Sequence, residues 1–189
     1  MISFVVVASV FAYTVLSAGV FSVEKGKQAI HAGMEQVQGS VHLVGGVMLL
    51  DTGALTGSTA SDDKIDEVVF TVSTLLPGQV VDFTATVDSD NDGDLSDETG
   101  ASHTTIISYL DENQVVDDIT WTATQVAKGD SDTFLYSTEK MRISVNVSQL
   151  TTLLGEDVRF TIEVKPNRGS TLIVERFTPS GIDDVTYTN

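Results

Sequence analysis

The chain has 189 residues, 27 acidic against 10 basic side chains, a formal net charge of −17 and no cysteine. That length allows one substantial core with an appendage. The missing cysteines exclude a disulfide framework and a thiolate metal site, and so acidic a chain repels nucleic acid and anionic lipid headgroups.

The acidity is uneven: residues 1–60 sum to −1 and residues 61–189 carry −16. The opening "MISFVVVASVFAYTVLSAGVF" holds no charge, and the first is Glu24. A signal peptide needs a basic start and an apolar stretch of about 7–15 residues, and this run has no such start and is too long. It does have the roughly 20 apolar residues of a transmembrane helix. The pattern then continues past the apolar run, with no proline before Pro77. Leu16, Val20, Val23, Ile30, Met34, Val37, Val41, Val44 and Met48 recur at steps of three and four, with Lys27 filling the one gap. That is a heptad seam. Beside it run Ala12, Gly19, Gly26, Gly33 and Ser40, spaced by sevens. Small residues at helical spacing let neighbouring helices approach closely, so Gly19, Gly26 and Gly33 are the expected packing positions. The pattern predicts one helix over residues 1–50, roughly 75 Å long at 1.5 Å per residue. Only about 30 Å of it fits a bilayer, and the rest needs a partner for its seam. The plainer alternative is a lone membrane anchor with a partly helical stalk.

"DTGALTGSTASDD" (Asp51–Asp63) is rich in Gly, Ser and Thr and predicts a hinge over 51–65. The period then changes to two. "EVVFTVSTL", "VVDFTATVD", "HTTIISYL", "VDDITWTATQV", "TFLYS", "KMRISVNVS", "DVRFTIEVK" and "TLIVERF" alternate and are rich in β-branched and aromatic residues. Eight short strands predict an antiparallel Ig-like β-sandwich head over 66–189, with Trp121 packed in its core. "VSQLTTLLGE" (Val147–Glu156) is a candidate turn of helix. The fold class is α+β: a long N-terminal helix, then the sandwich. An apolar-then-amphipathic helix with a globular head is the plan of a filament subunit, in which the helices bundle inside and the heads coat the outside.

The sharpest local motif is "DSDNDGDLSDET" (Asp88–Thr99). In a calcium loop of the D-x-D-x-D-G type the first three aspartates offer side-chain oxygens, the glycine makes the turn and the next residue offers its carbonyl. Asp88, Asp90, Asp92 and Asp94 fit those roles. The twelfth place is Thr99 where a bidentate Glu would close the loop, leaving Asp97 or Glu98 to do so. The candidate ligands are Asp88, Asp90, Asp92, Asp94 and Asp97, and the candidate ion is a structural Ca²⁺. A solvated acidic loop between strands is the alternative. "NVS" (Asn146–Ser148) is the N-x-S/T sequon, making Asn146 a candidate glycosylation site if it is exposed. The histidines are His31, His42 and His103. The sequence contains no G-x-S-x-G, H-E-x-x-H, P-loop or G-x-G-x-x-G, so an enzyme is not expected.

The N-terminal stretch through Val41 resembles archaeal flagellins, the archaellins, in an aliphatic run followed by "YxxLxAGxF" on Tyr13, Leu16, Ala18, Gly19 and Phe21. The tail "GEDVRFTIEVKPNRGSTLIVERFTPSGID" is similar too, through Gly155, Phe160, Ile162, Lys165, Pro166, Gly169, Leu172, Arg176 and Pro179. The likeness covers about residues 1–50 and 140–189. It implies a precursor with a short basic leader cut by a type IV prepilin-type peptidase. It further implies a subunit held in the membrane on its apolar helix, then polymerised into an extracellular filament that rotates for swimming, alone or with related archaellins. Mature archaellins usually begin with a few residues, including a Gly or Glu, before the aliphatic run, whereas this sequence opens at Met1 inside it. Two other readings stay open: an archaeal type IV adhesion pilin, and a membrane-anchored monomer with a calcium-binding or adhesive head.

Overall fold

Ile2–Val37 form one uninterrupted helix, α1. The stretch contains no proline, and two of its hydroxyls stay compatible with the helix by bonding back along it. Ser9 Oγ donates to the Val6 carbonyl and Thr14 Oγ1 to that of Phe11, each at 2.8 Å. This computed structural model describes residues 2–37, 40–52, 63–100, 102–127 and 132–188. The chain divides into two compact units, 1–37 and 38–189.

The helix ends at Val37, short of the expected residue 50. Val41, Val44 and Met48 leave the seam, and Ser40 leaves the small-residue stripe. Instead β1 (Val41–Leu43) and β2 (Val47–Leu50) belong to the head. The physical reason lies in the residues. Val41, Leu43, Val47 and Leu49 also alternate, so a period of two fits this window as well as a heptad does. Valine is β-prone and glycine weakens a helix. Gly45 takes φ +85° between the two strands, a conformation closed to most side chains. The hinge expected at 51–65 is corrected at both ends. Asp51 and Ile65 are buried in the head, so this segment joins two strands of one sheet and does not link helix to head. Its interior lies outside the described residues.

The other strands are β3 (Glu67–Thr74), β4 (Val80–Asp82), β5 (Thr105–Asp111), β6 (Val115–Val116), β7 (Trp121–Ala127), β8 (Phe134–Tyr136), β9 (Lys140–Asn146), β10 (Arg159–Pro166), β11 (Leu172–Phe177) and β12 (Val185–Thr188). All pairings are antiparallel. One sheet runs β12-β2-β3-β9-β7 with β1 also on β3, a second runs β11-β10-β5-β6, and β4 pairs with β8. Alternation decides which residues face inward. Val68, Phe70 and Val72 of β3, with Met141, Ile143 and Val145 of β9, meet Ile107 and Tyr109 of β5 and Phe160, Ile162 and Val164 of β10 in one core. Tyr109 stacks on Phe160 at 6.4 Å, and Trp121 meets Phe83 edge-on at 6.2 Å. Trp121 is 2 % exposed, as its place among alternating residues implied. Val147–Glu156 forms turns with no helix.

Candidate functional site

The acidic loop lies at the end of the head where β9 finishes and β7 begins. Its anchor is apolar: Leu95 is fully buried, and its N–H donates to the Asp118 carbonyl at 2.6 Å. Asp94 bridges to Ile119, and the Gly93 carbonyl accepts from the Thr120 N–H at 3.0 Å. Gly93 has φ +90°, and a Cβ there would stand 2.7 Å from Cβ of Gln149. Conformation and space therefore both require glycine at the turn. Gln149 in turn donates to the Asn91 carbonyl at 2.9 Å.

Asp88 organises the loop from within. Its carboxylate accepts from the N–H of Asn91 at 2.6 Å, the N–H of Gly93 at 3.1 Å and Thr120 Oγ1 at 3.0 Å. Desolvation pushes the Asp88 carboxyl up, but these hydrogen bonds outweigh it and hold it below the usual carboxylate range. Asp90 is pushed the other way, by desolvation and then by the charges of Asp92, Asp97 and Asp88. Glu98 accepts from Ser89 N–H at 2.5 Å and Ser89 Oγ at 2.7 and 2.9 Å, and these bonds lower its carboxyl.

Two groups of carboxylates bring ligand oxygens within 4.8 Å of one another: Asp88–Asp90–Glu98 and Asp90–Asp92–Asp97. Asp88, Asp90, Asp92 and Asp97 thus each belong to one group or the other, with Asp90 shared by both, and neither group holds all four. Asp94 stands outside both groups, and its Oδ1 accepts from the Ser96 N–H at 2.9 Å. Glu98, one residue before the twelfth place, contributes its carboxylate to the first group. The donors are all oxygen, which suits a hard cation such as Ca²⁺.

Sequence reasoning missed the groups beneath the loop. His103 Nδ1 lies 2.8 Å from Asp118 Oδ2, and its Nε2 is 3.4 Å from the Glu98 carbonyl. The Asp118 hydrogen bond raises His103, while burial raises Asp118 despite its partner. No local pattern announces a pair fifteen residues apart. The sequon also proves to be a neighbour of the loop: Asn146, Asp92, Gly93, Asp94 and Gln149 line one open cavity of about 300 Å³. Asn146 is half-buried, and its Oδ1 accepts from the N–H and Oγ of Ser148 at 3.0 and 2.7 Å.

The second candidate surface is α1 itself. Apolar side chains from Ile2 to Met34 are exposed all round it, including Phe4, Phe11, Leu16, Phe21 and Ile30. It is long and apolar enough to cross a membrane by length and composition. Among the described residues an added Cβ at Gly19, Gly26 or Gly33 would meet nothing within 4 Å, so none of them requires glycine there.

Comparison with known proteins places these features. A family model described as archaeal-type flagellin matches residues 1–176, which takes in the N-terminal helix, the middle strands and the tail as far as Arg176. Probable flagellin 1 of Archaeoglobus fulgidus is 33 % identical over 98 % of this chain and 88 % of its own length. Probable flagellin 2 of that organism is 30 % identical over 99 % and 88 %. Among solved structures, the archaeal flagellum of Methanospirillum hungatei matches with TM-score 0.56 and 21 % identity, covering 96 % of this chain and 90 % of that one. That likeness bears on the fold, which is one long N-terminal helix followed by antiparallel sheets. The chain belongs to the archaeal-type flagellin family, and it is a structural filament subunit.

Proposed function

We propose that this chain is the subunit of an archaellum, an extracellular filament that turns for swimming, and that it polymerises through α1. The observation that carries the reading is the contrast between the two units. The head buries a core of its own, whereas every described side chain of α1 is exposed. So much apolar surface demands an environment that covers it on all sides. A membrane supplies that before assembly, and the helices of neighbouring copies supply it afterwards. The bundle sits on the filament axis and the acidic heads face the medium, which accounts for the placing of the charge.

The Asp88–Glu98 loop would hold Ca²⁺ at the head surface. The ion would neutralise part of the crowding among Asp90, Asp92 and Asp97. Without a bidentate Glu at the twelfth place, affinity falls at the weak end, about 10⁻⁴–10⁻³ M. Asn146 would carry a glycan over the adjacent cavity. The test of the main reading is shearing of cells and electron microscopy of the released material. Filaments of uniform width containing this chain are expected, and deletion should stop swimming. Recovery of the chain only as a detergent-solubilised monomer would refute polymerisation. Filaments without a swimming defect would favour an adhesion pilus.

A further inference from the structure

We infer that neighbouring heads in the filament meet end to end, with the acidic loop of one copy seated against the outward face of the six-stranded sheet of the next. The inference rests on the filament reading above. It starts from how charge is distributed along β9.

Alternation puts Met141, Ile143 and Val145 in the core and turns Lys140 and Arg142 outward, where both are exposed. Register places Thr71 and Thr124 on either side of Arg142. Among the described residues, neither Lys140 nor Arg142 takes part in an ion pair, although the chain holds 27 carboxylates. Among the described residues, two neighbouring carboxylates have partners of their own: Glu139 is buried and accepts from the Tyr136 N–H, and Asp132 accepts from Gln125 and the Phe134 N–H. The strand carboxylate on this face is Glu67, which lies opposite Asn146 at the far end and accepts from Ser144 Oγ at 3.0 Å.

The acidic loop stands at that same far end. Asn146 lies six steps along the strand from Lys140, about 20 Å at ~3.3 Å per residue. One end of the sheet therefore presents two cations, and the other presents Asp90, Asp92, Asp97 and Glu98. Two unlike, complementary patches on one subunit make a heterologous contact, the kind that propagates as an open helical polymer and does not close into a dimer. The occupant of the cationic face is thus a second copy of this chain. A bound divalent ion leaves the loop acidic and does not remove the attraction.

The absence of cysteine makes the test clean. Ser96→Cys in the exposed loop and Thr124→Cys beside Arg142 are introduced singly and together in the full chain, and sheared filaments are oxidised. The double variant should give a covalent ladder of dimers, trimers and higher species, and each single variant none. Lys140→Glu with Arg142→Glu is assayed in parallel, and loss of filaments is expected while the full-length subunit persists in cells. Filaments from the double-cysteine strain without a ladder would overturn the contact, as would wild-type filament yield from the charge reversal. Either result leaves the filament reading intact, because that reading fails only if the unmodified chain yields no filaments.

Discussion

A head fragment that starts at residue 60 should fail to fold, whereas one that starts at residue 38 should fold. The sequence pattern alone would have cut the chain near 60, treating everything before as helix and hinge. The structure puts Val41, Val47 and Leu49 in the core, at 7 %, 0 % and 0 % exposure. Burying one such side chain contributes about 1.5–3 kcal/mol, so the three together contribute about 4.5–9 kcal/mol. A domain of this size has a net stability of about 5–15 kcal/mol. Truncation at 60 also removes the partner of β12 and opens the edge of β3. The loss therefore rivals the whole stability. Urea unfolding followed by circular dichroism compares the fragments. Residues 38–189 should show one cooperative transition, and residues 60–189 none. A cooperative transition from 60–189 at the same midpoint would refute the assignment of β1 and β2 to the core.

On the same 38–189 fragment, 10 mM calcium should stabilise by about 1.4–2.7 kcal/mol for a Kd of 10⁻³–10⁻⁴ M, or about 3–10 °C in Tm. Asp90→Ala with Asp92→Ala should abolish that rise, and equal responses from wild type and variant would remove the site. His103 has a raised pKa, so its contribution is fully present below about pH 6.5 and is lost as pH rises through the raised value. The Tm gap between wild type and His103→Gln should therefore be wide at pH 5.5 and narrow at pH 9, and a constant gap would contradict the His103–Asp118 bond. Asp111 is pushed up by burial, but bonds from Gln114, Asn113 and Tyr109 win and lower it. Its contribution is present above about pH 4 and lost as pH falls through the lowered value, so Asp111→Asn should cost stability at pH 7 and little at pH 2. Gly33→Leu should prevent assembly while leaving the head folded, at about 1–3 kcal/mol per overpacked contact, and normal filaments would remove the close-packing role.

The head strands were largely legible because each carries its own alternation. All eight segments picked out by period contain a strand, although "VVDFTATVD" contributes only Val80–Asp82. Beyond those residues its side chains bond locally: Asp82 accepts from Thr84 N–H and Oγ1 at 2.9 and 2.6 Å, a turn that competes with the ladder. Strand β12 is four residues with no buried alternation except Thr188, too short for period to detect. The misreading of 41–50 has a different origin, since valines at steps of three and four satisfy two periods at once and only the pairing with β3 decides. At the acidic loop the motif identified the carboxylates but not what fixes them. Leu95, Thr120 and Gln149 act through long-range contacts that no spacing encodes.

The glycine stripe on α1 gains its meaning from the same division between local and long-range information. Among the described residues nothing lies within 4 Å of a Cβ added at Gly19, Gly26 or Gly33, so no contact described within the chain explains glycine at positions where alanine would favour the helix by about 1 kcal/mol each. On the proposed route, α1 passes from lipid into a bundle of its own copies. Lipid tails are as apolar as leucine, so that transfer gains little from the hydrophobic effect, and association must come from packing. Only a stripe without side chains lets backbones close to the distance at which packing favours the bundle over lipid. On that route the helix cost of three glycines would be borne by every subunit in the membrane and would be offset only where a neighbouring helix covers the stripe. The same residues that weaken the lone helix would therefore favour the proposed polymer.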